Sequence, residues 1–381
     1  MTAGYWSHFG LGSAVWLNTA HQGALPIKAA SAARQAVEWK VTPEELTNTR
    51  FTAVPSRLRD ALARLMGSRG DEIALANSAS YGLHLIANAL PWRQGDEVIV
   101  MATDFPSDIL PWLMLEQRFG VAVRRLRPGG KVLSPDELRA AITPRTRLFC
   151  ITWVHSFSGH AIDIDSLGDI CRAHDVLFVL NGSQAIGARA LDVTRHPIDA
   201  LTCVGFKWLC GPYGTGFCWL APALLDRLQR TKAYWLSMLS ADDLARDLGD
   251  LTVGPLSSAA ELDIFGTANF FNFTAFAESV ELLLRLGAAN VEVHDQTLVQ
   301  AVVDTVAETD FRLISPSKPS PGRSTLVLLT HPDSGRLSAL EERLSDAGIR
   351  VAMRAGAVRI SPHLYNTPAQ IAELSGLLCD A

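Results

Sequence analysis

Residues 202–216 read Thr202-Cys203-Val204-Gly205-Phe206-Lys207-Trp208-Leu209-Cys210-Gly211-Pro212-Tyr213-Gly214-Thr215-Gly216. One lysine stands inside an apolar run, and a glycine-rich turn follows at once. Burying an ammonium group is costly, so a lysine between Phe and Trp calls for a reason. Burial also lowers a lysine's pKa and makes it an amine nucleophile suited to Schiff bases. The plainer alternative is a lysine at a half-buried strand end whose ammonium reaches back to water. The stretch alone leaves both open; the residues around it decide.

Working outward, short apolar runs recur at 73–76, 96–101, 121–126, 148–154, 176–180 and 200–204, with 216–220 beyond the lysine. Helical patterns fill the intervals, for example at 81–90 and 165–174. Strands alternating with helices at this spacing predict an α/β fold, a mostly parallel sheet covered by helices on both faces. In such sheets ligands sit beyond the carboxyl ends of the strands. The polar turns Asn77-Ser78-Ala79-Ser80, Asp104-Phe105-Pro106-Ser107-Asp108, Ser156-Phe157-Ser158-Gly159 and Asn181-Gly182-Ser183-Gln184 all fall at such ends.

Residues 1–26 lack periodicity and read as an arm whose loop offers Asn18, His21 and Gln22. Helices are predicted over 27–40 and 57–66. Thr42-Pro43-Glu44-Glu45 and Ser134-Pro135-Asp136-Glu137 look like capping boxes with Pro at the first helical position. Past residue 254 the pattern changes to long amphipathic helices (272–286, 291–306) and short strands (325–329, 351–353, 358–360), with Thr367 to Gln370 capping a last helix. The expected division is an arm 1–26, a large domain 27–255 and a smaller C-terminal α+β domain 256–381.

At 381 residues, 48% hydrophobic and 19% charged, the chain has the composition of a well-buried protein of about two domains. A net charge of −5 gives no electrostatic reason to expect nucleic acid. No apolar run spans a bilayer, and Met1 to Gly10 lacks the basic start and apolar core of a signal peptide, so a cytoplasmic protein is expected. The cysteines (150, 171, 203, 210, 218 and 379) show neither metal-ligand spacing nor the density of a disulfide scaffold, so no metal is expected.

Ser78-Ala79-Ser80 opens a helix directly after a strand. Free backbone amides, two hydroxyls and the positive helix end make an anion site there, although simple N-capping by Ser78 is the commoner use of such a serine. Gly211, Gly214 and Gly216 do not open a helix after a strand, which sets aside a dinucleotide-binding dehydrogenase. Asn181 and Gln184 place two amide side chains at a strand end about one strand–helix unit before Lys207.

In this order, over nearly the whole chain, these motifs resemble the fold type I pyridoxal-phosphate enzymes. The likeness is to the class V aminotransferase group, which includes cysteine desulfurases, kynureninases and isopenicillin N epimerase-like proteins. The resemblance implies pyridoxal 5'-phosphate as cofactor, joined to Lys207 as an internal aldimine. It implies that Ser78, Ala79 and Ser80 cradle the phosphate, that Phe105 stacks on the pyridine ring and that Gln184 bonds the ring hydroxyl. Thr267, in Phe265-Gly266-Thr267-Ala268-Asn269, resembles the Gly-Thr that reaches the phosphate of a neighbouring subunit, which implies a homodimer. Arg359 matches the arginine that clamps a substrate α-carboxylate, a task suited to a bidentate guanidinium. His155 and Ser156 align with positions that touch the ring hydroxyl and substrate. His21 and Asn18 come from a segment that folds near the substrate. His21 and His155 suit general acid–base work, and each equally suits a structural histidine.

Two departures bear on the reaction. The family carries Asp where this chain has Asn181. That carboxylate keeps the pyridine nitrogen protonated and the ring a strong electron sink. A neutral amide cannot supply the charge that raises the ring pKa, so slower deprotonation chemistry is expected. Second, a desulfurase needs a mobile cysteine before its substrate arginine, and Met353-Arg354-Ala355-Gly356-Ala357-Val358-Arg359 has none. The expected activity passes from an external aldimine of an amino-acid-like substrate to a Cα carbanion. β-Elimination of the C–S lyase type leads. A class V aminotransferase, an epimerase or oxidative decarboxylation-deamination are the alternatives, and a cofactor-binding protein inactivated by Asn181 is the non-enzymatic one.

Overall fold

The short apolar runs pair into one seven-stranded sheet in a computed structural model that describes residues 4–239, 241–246 and 248–379. The strands are β1 (Ile73–Ala76), β2 (Glu97–Met101), β3 (Ala122–Leu126), β4 (Thr146–Thr152), β5 (Leu177–Asn181), β6 (Ala200–Val204) and β7 (Gly216–Leu220), in spatial order β1-β7-β6-β5-β4-β2-β3. β7 pairs antiparallel with both neighbours and every other pair is parallel, so six strands point one way. This is the α/β sheet the alternation predicts.

Side chains alternate between two cores, as strand geometry requires. Ile99, Phe149, Ile151, Phe178 and Leu180 enter one, where Phe149 and Phe178 stack at 5.4 Å. Val98, Val100, Leu148, Cys150 and Val179 enter the other. The longer helices are α1 (Ile27–Val41), α2 (Asn48–Met66), α3 (Ala79–Ala89), α4 (Leu110–Phe119), α5 (Pro135–Ala141), α6 (Ile164–Ala173), α7 (Phe270–Leu286), α8 (Ala288–Ala307), α9 (Ser334–Asp346) and α10 (Pro368–Cys379). Helices α3 and α4 cover the second core; α2, α6 and α7 cover the first. Helix α7 lies beyond residue 255 yet sets Phe270, Phe273 and Phe276 into the core that holds Phe178. Truncating one such phenylalanine to Ala costs about 3–5 kcal/mol.

The sheet edges are treated differently. β3 is partly exposed and carries Arg124 and Arg125, charges that discourage further strand pairing. β1 is covered: Ile264 N donates to Leu75 O at 2.8 Å, and Leu75 N donates to Asp263 Oδ1 at 2.7 Å. Arg59 holds the Asp263 carboxylate in turn.

A four-stranded antiparallel sheet follows, built from β8 (Arg312–Leu313), β9 (Val327–Thr330), β10 (Ala352–Arg354) and β11 (Ala357–Ile360) in the order β10-β11-β9-β8. Val358 and Ile360 enter a third core with α8, α9 and α10. Arg359, between them, is turned the other way. The arm threads between the two sheets. Val15–Trp16 pairs with Ile349–Arg350, and Gly23 N donates to Phe206 O at 2.8 Å.

Two local expectations need correction. The Ser134 capping box is present, but Thr42 makes no side-chain cap, and Pro43–Glu45 is a single 3-10 turn. Thr42, at ψ 84°, is outside the extended N-cap geometry that aims a hydroxyl at the following amides. The helix expected over 57–66 begins at Asn48, running through Pro55. Proline signals a break, but here tertiary packing of Val54, Pro55 and Leu58 keeps the helix whole at the loss of one backbone bond.

Candidate active site

Five strand ends converge on one cavity of about 470 Å³. Ser78 to Ser80 follow β1, Phe105 to Asp108 follow β2, and Ser156 and Phe157 follow β4. Asn181, Ser183 and Gln184 follow β5, and Val204 to Lys207 follow β6. His21 enters from the arm, and Arg354 and Arg359 from the β10–β11 hairpin.

The β1–α3 turn presents a helix N-terminus. Ser78 caps it, accepting from Tyr81 N at 3.2 Å. Thr202 Oγ1 pins the first turn through Ala79 O at 2.7 Å. The amides of Ala79 and Ser80 have no intrahelical acceptor, so an anion is welcome beside them. β7 starts against this turn: a Cβ on Gly216 would stand 2.7 Å from the Cys203 carbonyl and 3.1 Å from Ser78 N. A Cβ on Gly23 would be 2.1 Å from the Lys207 carbonyl, so glycine is what lets the arm close on the lysine.

Lys207 Nζ lies 5.6 Å from the Phe105 ring centroid. Burial, reinforced by the nearby Arg359 guanidinium, pulls its pKa down to about 8. The amine is thus within reach of its free, nucleophilic form at neutral pH. Arg359 is buried and its Nε has no partner; burial and then Arg354 lower its pKa to about 10. His21 is held below the usual histidine range by burial, then by Arg354, Arg359 and Lys207.

The opposing charge comes from Asp104 and Asp108. Asp104 braces the turn, accepting from Phe105 N at 2.7 Å and Thr152 N at 2.9 Å. Burial pushes its pKa up to about 7. Asp108 is fully buried; Oδ1 accepts from Asn181 Nδ2 at 2.8 Å, and Oδ2 has no partner. Burial and then Asp104 push its pKa well up, against the pull of Asn181 and Lys207. Asn181 Oδ1 accepts from Ser183 N at 3.0 Å. Gln184 accepts from Trp208 Nε1 at 3.0 Å and donates to Ala20 O at 3.1 Å.

Of the residues singled out in the sequence, the cavity brings together His21, Ser78, Ala79, Ser80, Phe105, Ser156, Asn181, Gln184, Lys207 and Arg359. Asn18, His155 and Thr267 are outside its lining. Asn18 Nδ2 donates to Val351 O at 3.4 Å. His155 has both ring nitrogens engaged, with Ser158 Oγ at 2.8 Å and Thr103 O at 3.0 Å. Thr267 is buried on the loop before α7. Sequence reasoning gave no role to Asp108 or Arg354. The available signal for Asp108 was a second acid four residues after Asp104 in a turn already marked as a ligand-facing strand end.

The fold matches that of the cystine C–S lyase C-DES, solved in complex with its reaction product cysteine persulfide. The TM-score is 0.86 at 20% identity, over 97% of this chain and 98% of that one. The architecture is that of the fold type I pyridoxal-phosphate enzymes. Residues 44–374 match the model of the aminotransferase class-V family, and the chain belongs to that family of pyridoxal-phosphate-dependent enzymes. An isopenicillin N epimerase from Streptomyces clavuligerus is 29% identical over 332 residues, 84% of this chain and 82% of the relative. A probable cysteine desulfurase from Methanothermobacter thermautotrophicus (strain ATCC 29096 / DSM 1053 / JCM 10044 / NBRC 100330 / Delta H) is 28% identical over 264 residues, 68% of this chain and 63% of the relative.

The cavity fits the family's cofactor, pyridoxal 5'-phosphate. It holds a helix end for the phosphate, an amine with a lowered pKa for the aldehyde, and the open face of Phe105 for the ring. The unpartnered Asp108 Oδ2 and Arg359 Nε are buried polar atoms that a bound ligand would satisfy.

Proposed function

We propose that the protein is a carbon–sulfur β-lyase acting on an amino-acid substrate. The observation that carries this reading is the β10–β11 hairpin. It closes through Ala355 and Gly356, both at positive φ (50° and 74°), directly between Arg354 and Arg359. Such a two-residue turn leaves no loop for a mobile sulfur-accepting cysteine. No cysteine lines the cavity, and five of the cysteines are buried. Support for elimination comes from the C–S lyase named among the solved structures of this fold.

In this reading Lys207 would hold the cofactor through its aldehyde and would take the proton from the substrate Cα. Arg359 would hold the substrate carboxylate with His21 beside it, and Asn18 would support the arm from outside the cavity lining. Ser78, Ala79 and Ser80 hold the cofactor phosphate, with Thr267 contributed across a homodimer interface. Phe105 covers the ring face, Gln184 and Ser156 address the ring hydroxyl, and His155 keeps the Thr103 and Ser158 segments in place. The bound cofactor supplies the sink for the electron pair left at Cα. The Cβ–S bond would break with its electron pair going to sulfur, which would leave as a thiolate or persulfide and take up the proton held by Lys207; hydrolysis of the remaining enamine would give pyruvate and ammonia. The exposed side chains of Leu110, Met114 and Phe265 support a homodimer. Among the described residues no helix is long and apolar enough to cross a membrane, which accords with a cytoplasmic enzyme.

The relative named as an epimerase favours a second reading, in which Cα is reprotonated without loss of a substituent. The test is to supply the loaded protein with cystine and S-substituted cysteines and to assay pyruvate together with the sulfur product, a persulfide from cystine and a thiol from an S-alkyl cysteine. Both products, formed in equal amounts, are expected. A keto acid of unbroken skeleton with an amine acceptor would establish transamination. Exchange of the Cα proton with inversion and no keto acid would establish epimerisation. Either result overturns the lyase reading.

A further inference from the structure

Asn181 is built into a pair. Its Oδ1 is taken by Ser183 N, and its Nδ2 donates to Asp108 Oδ1 at 2.8 Å. A carboxylate at 181 would place two like charges in hydrogen-bond contact, where both cannot stay ionised. Asparagine at 181 and aspartate at 108 are therefore chemically matched. Asp108 comes from a different strand end, in the 3-10 turn Pro106–Asp108, and that turn is rigid because Asp104 braces it against β4. Asp108 Oδ2 is wholly buried, lines the cavity and has no partner. An orphaned carboxyl oxygen aimed into a binding cavity needs a ligand atom to satisfy it.

We propose that Asp108, rather than residue 181, is the acid that meets the ring nitrogen of the cofactor, and that Asn181 is its positioning residue. The groups facing Asp108 set its proton state. Burial and then Asp104 oppose its charge, Asn181, Lys207 and the Ser107 hydroxyl favour it, and the neighbouring Cys150 thiol is itself pushed up by burial and then by Asp108 and Asp104. Burial and the Asp104 charge favour the protonated form of this carboxyl. That proton passes to the ring nitrogen, and the resulting carboxylate stays paired with the cation it has made while Asn181 Nδ2 solvates its other oxygen. Asn181 then leaves the electron sink intact, and the acid reaches it from the β2 end instead of the β5 end.

The inference rests on the cofactor assignment and not on the choice of reaction. The test is a spectral titration of apoprotein with pyridoxal phosphate and with an analogue bearing C–H in place of the ring nitrogen. Wild type should prefer pyridoxal phosphate by roughly tenfold or more, the size of one charge-assisted hydrogen bond. Asp108→Asn should abolish most of that preference, and the swap Asp108→Asn with Asn181→Asp should restore it. If Asp108→Asn fails to fold, the wild-type preference and the swap still decide. Equal preference in wild type and Asp108→Asn, with borohydride still fixing a pyridoxyl label on Lys207, would overturn the role of Asp108 and leave the cofactor assignment standing. No uptake of pyridoxal phosphate by wild type would overturn the assignment itself, and the proposal with it.

Discussion

Two groups of buried ionisable side chains lie on either side of Trp208, and they are built on opposite plans. On one side, Lys207, Arg359 and Asp108 line a cavity with Asp104 buried close behind Asp108, and no direct ion pair joins an acid to a base among them. On the other, His363 and Asp295 are both fully buried and bonded to each other at 2.7 Å. Burial acts on both groups. In the cavity it drives lysine toward the free amine and the acids toward the neutral carboxyl. In the pair, burial alone would lower the histidine, but the Asp295 carboxylate overcomes it and holds His363 at about 10. In the pair, each buried group has an oppositely charged partner and makes structure; in the cavity, Lys207, Arg359 and Asp108 have no such direct partner and make a site.

The sharpest way to break the contrast is at its reactive end. Lys207→Ala should lower turnover by roughly 10²–10⁴-fold, the range of a positioned acid–base group, and should eliminate the borohydride-fixed label. Its melting temperature should stay level or rise, because a costly buried amine is gone.

On the structural side, His363→Leu leaves Asp295 charged and alone. A loss of about 3–5 kcal/mol in urea unfolding is expected, with a smaller effect on cofactor capture. The sign with pH follows from a folded pKa of about 10 above an ordinary value of 6.5. The contribution is fully present below about pH 6.5 and is lost as pH rises through about 10. Wild type and variant should therefore converge in alkaline buffer.

Arg359→Lys keeps the charge but loses the planar fork. KM for the amino acid should rise about 10- to 100-fold, the worth of one or two charge-assisted bonds, with a smaller change in kcat. Smallest is the effect of Asp104. Its folded pKa, about 7, lies above the ordinary 3.8, so the native state keeps a proton the unfolded chain has released. Apoprotein stability should fall as pH rises from about 4 to about 7, and Asp104→Asn should flatten that slope in thermal melts at several pH values.

Most of the fold was legible because its signals are local. The apolar runs at 98–100 and 177–180, with polar turns after them, announce buried parallel strands, and Lys207 announces itself by being out of place. The pairing of Asn181 with Asp108 was not legible, since it joins residues 73 positions apart through a sheet order that skips neighbours. Read alone, Asn181 looked like a missing charge; read with its partner, it is half of a two-residue device. Arg354 was hidden for a related reason. Only the turn at Ala355 and Gly356 folds it back beside Arg359. Pro55 misled in the opposite sense, a strong local signal overruled by packing.

The His363–Trp208 contact also bears on how the molecule is made. His363 Nε2 donates to the Trp208 carbonyl at 2.9 Å, so the peptide next to Lys207 is fastened by a residue 155 positions further along the chain. Asp295, which holds that histidine, is likewise late. A ribosome has therefore delivered 155 further residues before the lysine's own segment has its anchor. The β-strands of the large sheet can pair during synthesis, but the reactive amine's segment is secured only after α8 and the turn at His363 have been made, so a chain stopped before them has the sheet without a secured lysine.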